Sequence, residues 1–409
     1  MDSAEQNPGP LAGVLVLDLS RVLAGPWATQ ALADLGAEVI KIERPGVGDD
    51  TRHWGPPFVL AADGSRSDAA YFFCANRGKR SVTVDIATPE GGELARGLAA
   101  QADVLVENFK VGGLERYGLD YAGVHALNPK LVYCSITGFG QTGPYAGRAG
   151  YDYMIQAMGG LMSVTGEPDG EPMKVGVAVA DLFAGLYASN AILAALLHAR
   201  ATGEGQQIDI ALFEVQAAML ANQASNWFVS GEVPTRLGNA HPNLAPYQPL
   251  PTADGALVIA VGNDGQFRAL CMALGDEALA ADERFATNAL RVAHRAELTA
   301  RLQALTAART TAEWIAALEA AGVPCGPINT VEEVFAEPQA QARGLVVEQP
   351  RADLGATVRT VASPMRLSAT PPAYHSPPPM LGADTETVLR SRLGLSASSV
   401  EALRSRGIV

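Results

Sequence analysis

The stretch "GVLVLDLSRVLAGPWATQALADLGAEVIKIERP" (13–45) decides the fold class, because its periodicity changes twice. "GVLVLDLS" (13–20) is an apolar run of strand length, and "PWATQALADLGA" (26–37) reads as a helix with Pro26 in its first turn. "EVIKIERP" (38–45) is a second strand. The alternation continues outward. "SVTVDI" (81–86), "DVLVENF" (103–109) and "LVYCSITGF" (131–139) are predicted strands, "PEGGELARGLAAQA" (89–102) is a predicted helix, and a short helix is expected near 120–127. Apolar strands alternating with helices imply an α/β fold with a parallel sheet covered on both faces. Ligands of such sheets sit beyond the carboxyl ends of the strands. That rule singles out Ser20-Arg21, Glu43-Arg44, Asn108-Phe109 and Thr137-Gly138.

The 409 residues allow two domains, and shares of 48% hydrophobic and 18% charged residues suit a globular protein. A net charge of −13 argues against a nucleic-acid partner held by bulk electrostatics. Cys74, Cys134, Cys271 and Cys325 lack CxxC spacing and are expected as reduced core thiols, with no metal site. The N-terminal "MDSAEQNPGPLAG" does not read as a signal peptide, and no apolar run is expected to reach membrane-spanning length, so no membrane partner and a cytoplasmic location are the expectations. No GxGxxG or GxxxxGK[ST] opens a helix, which disfavours dinucleotide and nucleoside-triphosphate enzymes.

Composition changes near residue 220. "SGEVPTRLGNAHPNLAPYQPLPTADG" (230–255) reads as linker and loop, "ALVIAVG" (256–262) as a strand, and helices are expected at 264–274 and 295–320. The tail past 340 mixes proline-rich coil with a helix.

Two features carry chemistry. In "MKVGVAVADLFAGLYASNAILAAL" (173–196), Val175, Val177 and Val179 alternate with small residues as a strand does, and a helix apolar on most sides follows. Asp181 stands at that seam, at or near an N-cap, where its plain role would be to cap orphan N–H groups. The second feature is a set of cations at the predicted ligand face: Arg21, Lys41, Arg44, Arg52, Arg77, Lys79, Arg80 and Arg116. In an acidic chain such a set is either salt-paired surface or a binding site for phosphate or another anion.

"DLSRVLAGPWATQALADLGAEVIKIERPGVGDDTR" (18–52), "NRGKRSVTVDI" (76–86), "DVLVENFKVGGLERYGLDY" (103–121), "NPKLVYCSITGFGQTGPY" (128–145), "AGYDYMIQAMGG" (149–160) and "ATGEGQQIDIALFE" (201–214) occur in order. Together they resemble the family III CoA-transferases, whose cousins include the α-methylacyl-CoA racemases. The resemblance implies an interlocked homodimer with a Rossmann-like large domain, built from 1–220 and a C-terminal return at 336–409, and a linker and small α+β domain at 221–335. It implies that coenzyme A and acyl-CoA are substrates, with no tightly bound cofactor, and that the second partner is a small carboxylic acid. It places Asp181 as catalytic nucleophile, Arg21, Val22 and Ala24 on the first CoA-contacting loop, and Arg44 near the adenine and its 3′-phosphate. Arg77, Lys79 and Arg80 match a phosphate-holding turn. Asn108, Phe109, Arg116 and Tyr117 match a segment lining the CoA channel.

The racemase cousins carry a histidine in a "GHD" motif, where this chain has Gly150-Tyr151-Asp152. Tyrosine, with an ordinary pKa near 10, is a poor base at neutral pH, so the transferase reading is preferred over a 2-methylacyl-CoA racemase. His125 and His198 are expected on helices and offer no substitute. A non-catalytic CoA-binding protein is the other alternative. Formyl-CoA transferase has a mobile glycine run where "LGNAHPNLAPYQ" (237–248) keeps only Gly238. His241 there is either a contact for the substrate carboxylate or a loop residue held by backbone bonds, and Tyr151 is placed beside the substrate. "HPNLAPYQ", "TADG" and "VGNDGQF" resemble members using small dicarboxylic acids, which points to succinyl-CoA as donor.

Overall fold

The computed structural model describes residues 9–409, so the first eight residues of the N-terminal stretch read above lie outside the described residues. Six strands form one sheet: β1 (Leu15–Asp18), β2 (Glu38–Glu43), β3 (Lys79–Thr83), β4 (Val104–Glu107), β5 (Val132–Thr137) and β6 (Gln207–Ala211). All neighbours are parallel, in the order β3-β2-β1-β4-β5-β6. Side chains alternate between the faces of a strand, so a sheet covered twice needs two cores. On one face Val16, Val39, Val104 and Val132 pack with helices α1 (Ala24–Asp34), α4 (Asp152–Met158), α5 (Val179–Thr202) and α6 (Leu212–Met219). On the other, Leu17, Ile40, Val82 and Leu105 pack with α2 (Pro89–Ala99) and α3 (Tyr121–Leu127). Val388, Leu389 and Val400, from α7 (Thr385–Leu393) and α8 (Ala397–Ser405), join that second core, so the tail returns to the sheet.

The seam before Asp181 is not the predicted strand. Residues 171–178 form no strand or helix, and α5 begins at Val179. Val177 is 57% exposed, so the Val/small alternation does not bury one face as a core strand would. Asp181 is consequently the third helical residue and not the cap, which is Ala178. Nor is α5 apolar and buried all round. Ala184, Gly185 and Ala188 pack inward, while Phe183, Leu186, Tyr187 and Leu197 are exposed. Gly185 is required by close approach: a Cβ there would lie 2.7 Å from the Ala24 carbonyl oxygen of α1. With 24 residues and a mean hydropathy of 1.6 over its most apolar part, α5 is long and apolar enough to cross a membrane, which corrects the expectation that no such run exists. Its buried stripe of small residues is the contact with α1 and the sheet.

The chain divides into two compact units. The first runs up to Gly159 and includes Gly176–Met219 and Gln339–Val409; the second comprises Gly160–Val175 and Leu220–Pro338. Residues 160–175 thus belong with the second unit, not with the large domain expected over 1–220. The second unit has an antiparallel sheet of Tyr247–Pro251, Ala256–Ala260 and Cys325–Pro327, whose Leu250, Leu257 and Ile259 pack on Phe267, Trp314 and Leu318. The strand Tyr247–Pro251 lies inside the stretch read as loop. The helix predicted over 295–320 is two, Arg295–Thr306 and Thr311–Ala320, because Thr310 and Glu313 form a capping box that starts the second. In the tail, Val346–Arg351 and Ala356–Val361 pair as an antiparallel hairpin that the sequence reading missed. Cys74 is exposed, against the expectation of a core thiol, whereas Cys134 and Cys271 are buried.

Candidate active site

In the observed strand order the chain leaves β1 toward β2 on one side and reaches β4 on the other, so the crevice lies where β1 and β4 end side by side. Two loops meet there and are clamped. The Arg21 N–H donates to Asn108 Oδ1 at 2.9 Å, and Asn108 Nδ2 donates to the Arg21 carbonyl at 2.7 Å. The Arg21 guanidinium lies 5.6 Å from the Phe109 ring centroid and 3.0 Å from Asp50. Val22 adopts φ 72°, a left-handed conformation costly for a β-branched residue. Its N–H donates to both Asp49 oxygens, at 3.2 and 3.3 Å. Asp49 is itself fixed by Lys41, whose Nζ lies 2.9 Å away and also donates to the Ser20 carbonyl at 2.8 Å. Burial, the largest single influence, pushes the Asp49 carboxyl up, but the Lys41 cation together with hydrogen bonds from Lys41 and Thr51 holds the group below the usual carboxylate range.

These loops wall two adjoining cavities that share Arg21, Asp50, Ile86 and Phe109. The smaller, about 230 Å³, is lined by Lys41, Arg44, Val47 and Gly48 among others. The larger, about 660 Å³, is lined by Val22, Ala24, Trp54, Asn108, Arg116, Tyr117, Arg148, Tyr151 and Asp181. Asp181 is half-buried in this wall, and its carboxyl is pushed up to about 7, by burial first and by the Asp152 carboxylate second. A helix N-terminus would by itself favour the ionised form, and here it does not prevail. The N-terminal N–H groups are already taken: Asp152 Oδ1 accepts from Ala180 N at 2.8 Å and from Asp181 N at 3.4 Å. Asp152 caps α5 from α4, and its other oxygen accepts from Gln156 Nε2 at 2.6 Å. Asp181 is thereby released from capping and left beside a second acid.

Of the residues singled out by sequence, Arg21, Val22, Ala24, Asn108, Phe109, Arg116, Tyr117, Tyr151 and Asp181 come together around the larger cavity, and Arg44 lines the smaller. Arg77, Lys79 and Arg80 are not brought there. Arg77 is buried and grips Asp34 at 2.8 and 2.6 Å. Lys79 is buried and donates to Asp18, Asn76 and the Pro26 carbonyl. Arg80 pairs with Glu38 and Asp384. The expected phosphate turn is therefore a set of ion pairs that braces the sheet and, through Asp384, its C-terminal return. Gly238 and His241 belong to the second unit. Gly238 has φ 58° beside Glu167, and the His241 Nδ1 accepts from the Asn243 N–H at 3.0 Å, so the histidine is held by its own loop. Sequence reasoning passed over Asp152, Trp54 and Arg148. Asp152 was within sight in "GYD", where the missing histidine at 151 drew the attention instead.

The sequence pattern of CoA-transferase family III matches residues 11–385. A succinate–glutarate CoA-transferase from Agrobacterium fabrum is 58% identical over 388 residues, covering 95% of this chain and 96% of that protein. The human succinyl-CoA:glutarate CoA-transferase is 43% identical over 403 residues, covering 98% of this chain and 90% of its own length. Among solved structures, a CaiB/BaiF family protein from Brucella suis superposes with a TM-score of 0.84 at 53% identity, over 94% of this chain and all of that one, 100%. A match over residues 11–385, and likeness of this extent along nearly the whole chain, have one conclusion: the chain belongs to the family III CoA-transferases.

Proposed function

We propose that this enzyme moves CoA from succinyl-CoA to a second small dicarboxylic acid such as glutarate, through acyl groups held covalently on Asp181. The observation that carries this reading is Asp181 itself, a half-buried carboxyl in the larger cavity that is spared from capping by Asp152. The ionised Asp181 attacks the thioester carbonyl carbon, the C–S bond breaks, and CoA leaves as thiolate, giving a mixed anhydride on the enzyme. The thiolate then attacks the aspartyl carbonyl of that anhydride, releasing succinate and leaving an aspartyl-CoA thioester. The incoming acid runs the same two steps in reverse. The N-terminus of α1, whose Leu23 and Ala24 line the cavity and whose cap makes no side-chain hydrogen bond, is suited to receive oxyanion charge. The smaller cavity, with Arg44 in its wall, suits the adenine and 3′-phosphate end of CoA.

The racemase alternative needs a second proton carrier facing the acid, and Tyr151 occupies the place where the cousins carry histidine. The succinate–glutarate and succinyl-CoA:glutarate CoA-transferases among the relatives favour transfer between dicarboxylates. Exposed Phe183, Leu186 and Tyr187 on α5, and Trp227, Phe228 and Val229 on the helix Ala221–Ser230, support assembly as a homodimer, and the resemblance noted above supports an interlocked one. Light scattering that returned the monomer mass of 42.6 kDa at working concentration would refute the dimer.

The decisive experiment is Asp181→Ala. Succinyl-CoA to glutarate exchange should fall by a factor of about 10⁴ or more while CoA still binds, and wild-type enzyme quenched under turnover should carry an acyl or CoA adduct at residue 181 by mass spectrometry. Near-normal exchange in the variant would overturn the nucleophile.

A further inference from the structure

Arg148 is a cation without an assigned partner in the larger cavity. No carboxylate lies within salt-bridge distance of it among the described residues, whereas Arg21 in the same wall is paired with Asp50. Its guanidinium is held by aromatic faces instead, 4.5 Å from the Tyr145 ring centroid and 5.3 Å from that of Phe139. Those two rings brace each other edge to face at 5.5 Å, and Phe139 leans on Phe213 of α6 at 5.9 Å. The loop is anchored at both ends. Gly138 and Gly150 pass so closely that a Cβ on either would lie within 2.5 Å of the other's Cα, and the Arg148 N–H donates to the Tyr145 carbonyl at 2.9 Å. Rings orient a guanidinium without neutralising its charge or using its N–H donors, so the fork remains open to an anion.

The anion is defined by position. Arg148 is four residues before Asp152, so their Cα atoms are at most ~14 Å apart along even a fully extended chain. Asp152 in turn is hydrogen-bonded to the backbone N–H of Asp181. An arginine side chain and a short diacid can span that interval between them. We propose that Arg148 binds the remote carboxylate of the dicarboxylic acyl group and acceptor, and so selects diacids over monoacids. Planar bidentate pairing is what a guanidinium offers a carboxylate, and the ring clamp presets its direction. This assignment deepens the function proposed above and rests on it.

The test uses full-length enzyme with succinyl-CoA as donor and compares glutarate with valerate, which lacks only the second carboxylate. Each acid is measured both as acceptor and as inhibitor of exchange between succinyl-CoA and labelled succinate. In Arg148→Gln the glutarate kcat/KM and inhibition should weaken on the order of 30-fold, the valerate inhibition constant should move less than about twofold, and Arg148→Lys should recover part of the loss. CoA affinity, read by calorimetry, should be unchanged. Equal weakening toward both acids, or a loss of CoA affinity in place of the glutarate effect, overturns the assignment. If wild-type enzyme moves no CoA between the two diacids, it is the proposed function that fails, and the assignment with it; a working wild type with a non-discriminating variant refutes Arg148 alone.

Discussion

Two groups of cations in this molecule look alike in sequence and behave oppositely in the fold. Arg77 and Lys79 are buried against Asp34 and Asp18, with their donors taken by carboxylates and carbonyls. Arg44, Arg116 and Arg148 stand in the cavity walls and have no carboxylate partner within salt-bridge distance among the described residues. The difference teaches that a cation's role is set by the acids folding brings to it. The tight run "ANRGKRS" was the more conspicuous anion-site candidate, yet its charges are already matched, by acids 43 positions back in the case of Arg77 and 61 in that of Lys79. The dispersed arginines are the ones whose charge no carboxylate among the described residues matches, as the proposed ligand roles require.

Replacing one member of each group should have opposite effects. Arg77→Ala strands the buried Asp34 carboxylate and should cost ~3–5 kcal/mol in urea unfolding, with little change in CoA affinity for the protein that remains folded. Arg44→Ala should do the reverse, leaving the unfolding midpoint in place while weakening CoA about 5- to 10-fold and dephospho-CoA less. If Arg77→Ala lost CoA affinity at wild-type stability, the division drawn here between bracing and binding cations would collapse.

A smaller effect follows from Asp181, an acid with no cation to match it. Its folded pKa of about 7 lies above the ordinary 3.8, so the folded state holds a proton that the unfolded chain gives up. Its favourable contribution is full below about pH 4 and is lost as pH rises toward and through 7. Asp181→Asn should therefore raise the melting temperature by ~2–4 °C at pH 8 and by much less at pH 5. A shift independent of pH would mean that Asp181 is ionised throughout. Removing the neighbouring charge with Asp152→Asn should also move the acid limb of kcat/KM for the wild-type reaction to lower pH.

Much of this site was legible before folding because it lies at strand ends, and strands announce themselves. The exits after Asp18 and Glu107 follow from apolar runs, and the crevice rule then supplies Arg21, Asn108 and Phe109. Asp152 was not legible, since nothing local shows that a carboxylate on one helix will cap another 28 residues on. The seam at 175–179 misled for a related reason. Period-two valines describe a strand only where one face is buried, and here Val177 is exposed while Val179 already opens α5.

By itself, then, the amino-acid order determined the alternating α/β plan, the family motifs and the position of Asp181 at the start of an apolar helix, because these depend on residues close together or on long patterns kept in register. Tertiary structure alone decided which cations are neutralised, that Asp181 is freed from capping and pushed up by burial first and Asp152 second, and that Arg148 is held by rings. Those outcomes depend on burial and on charges distant along the chain, and Coulomb energies in a low-dielectric interior answer to distance in space and not in sequence.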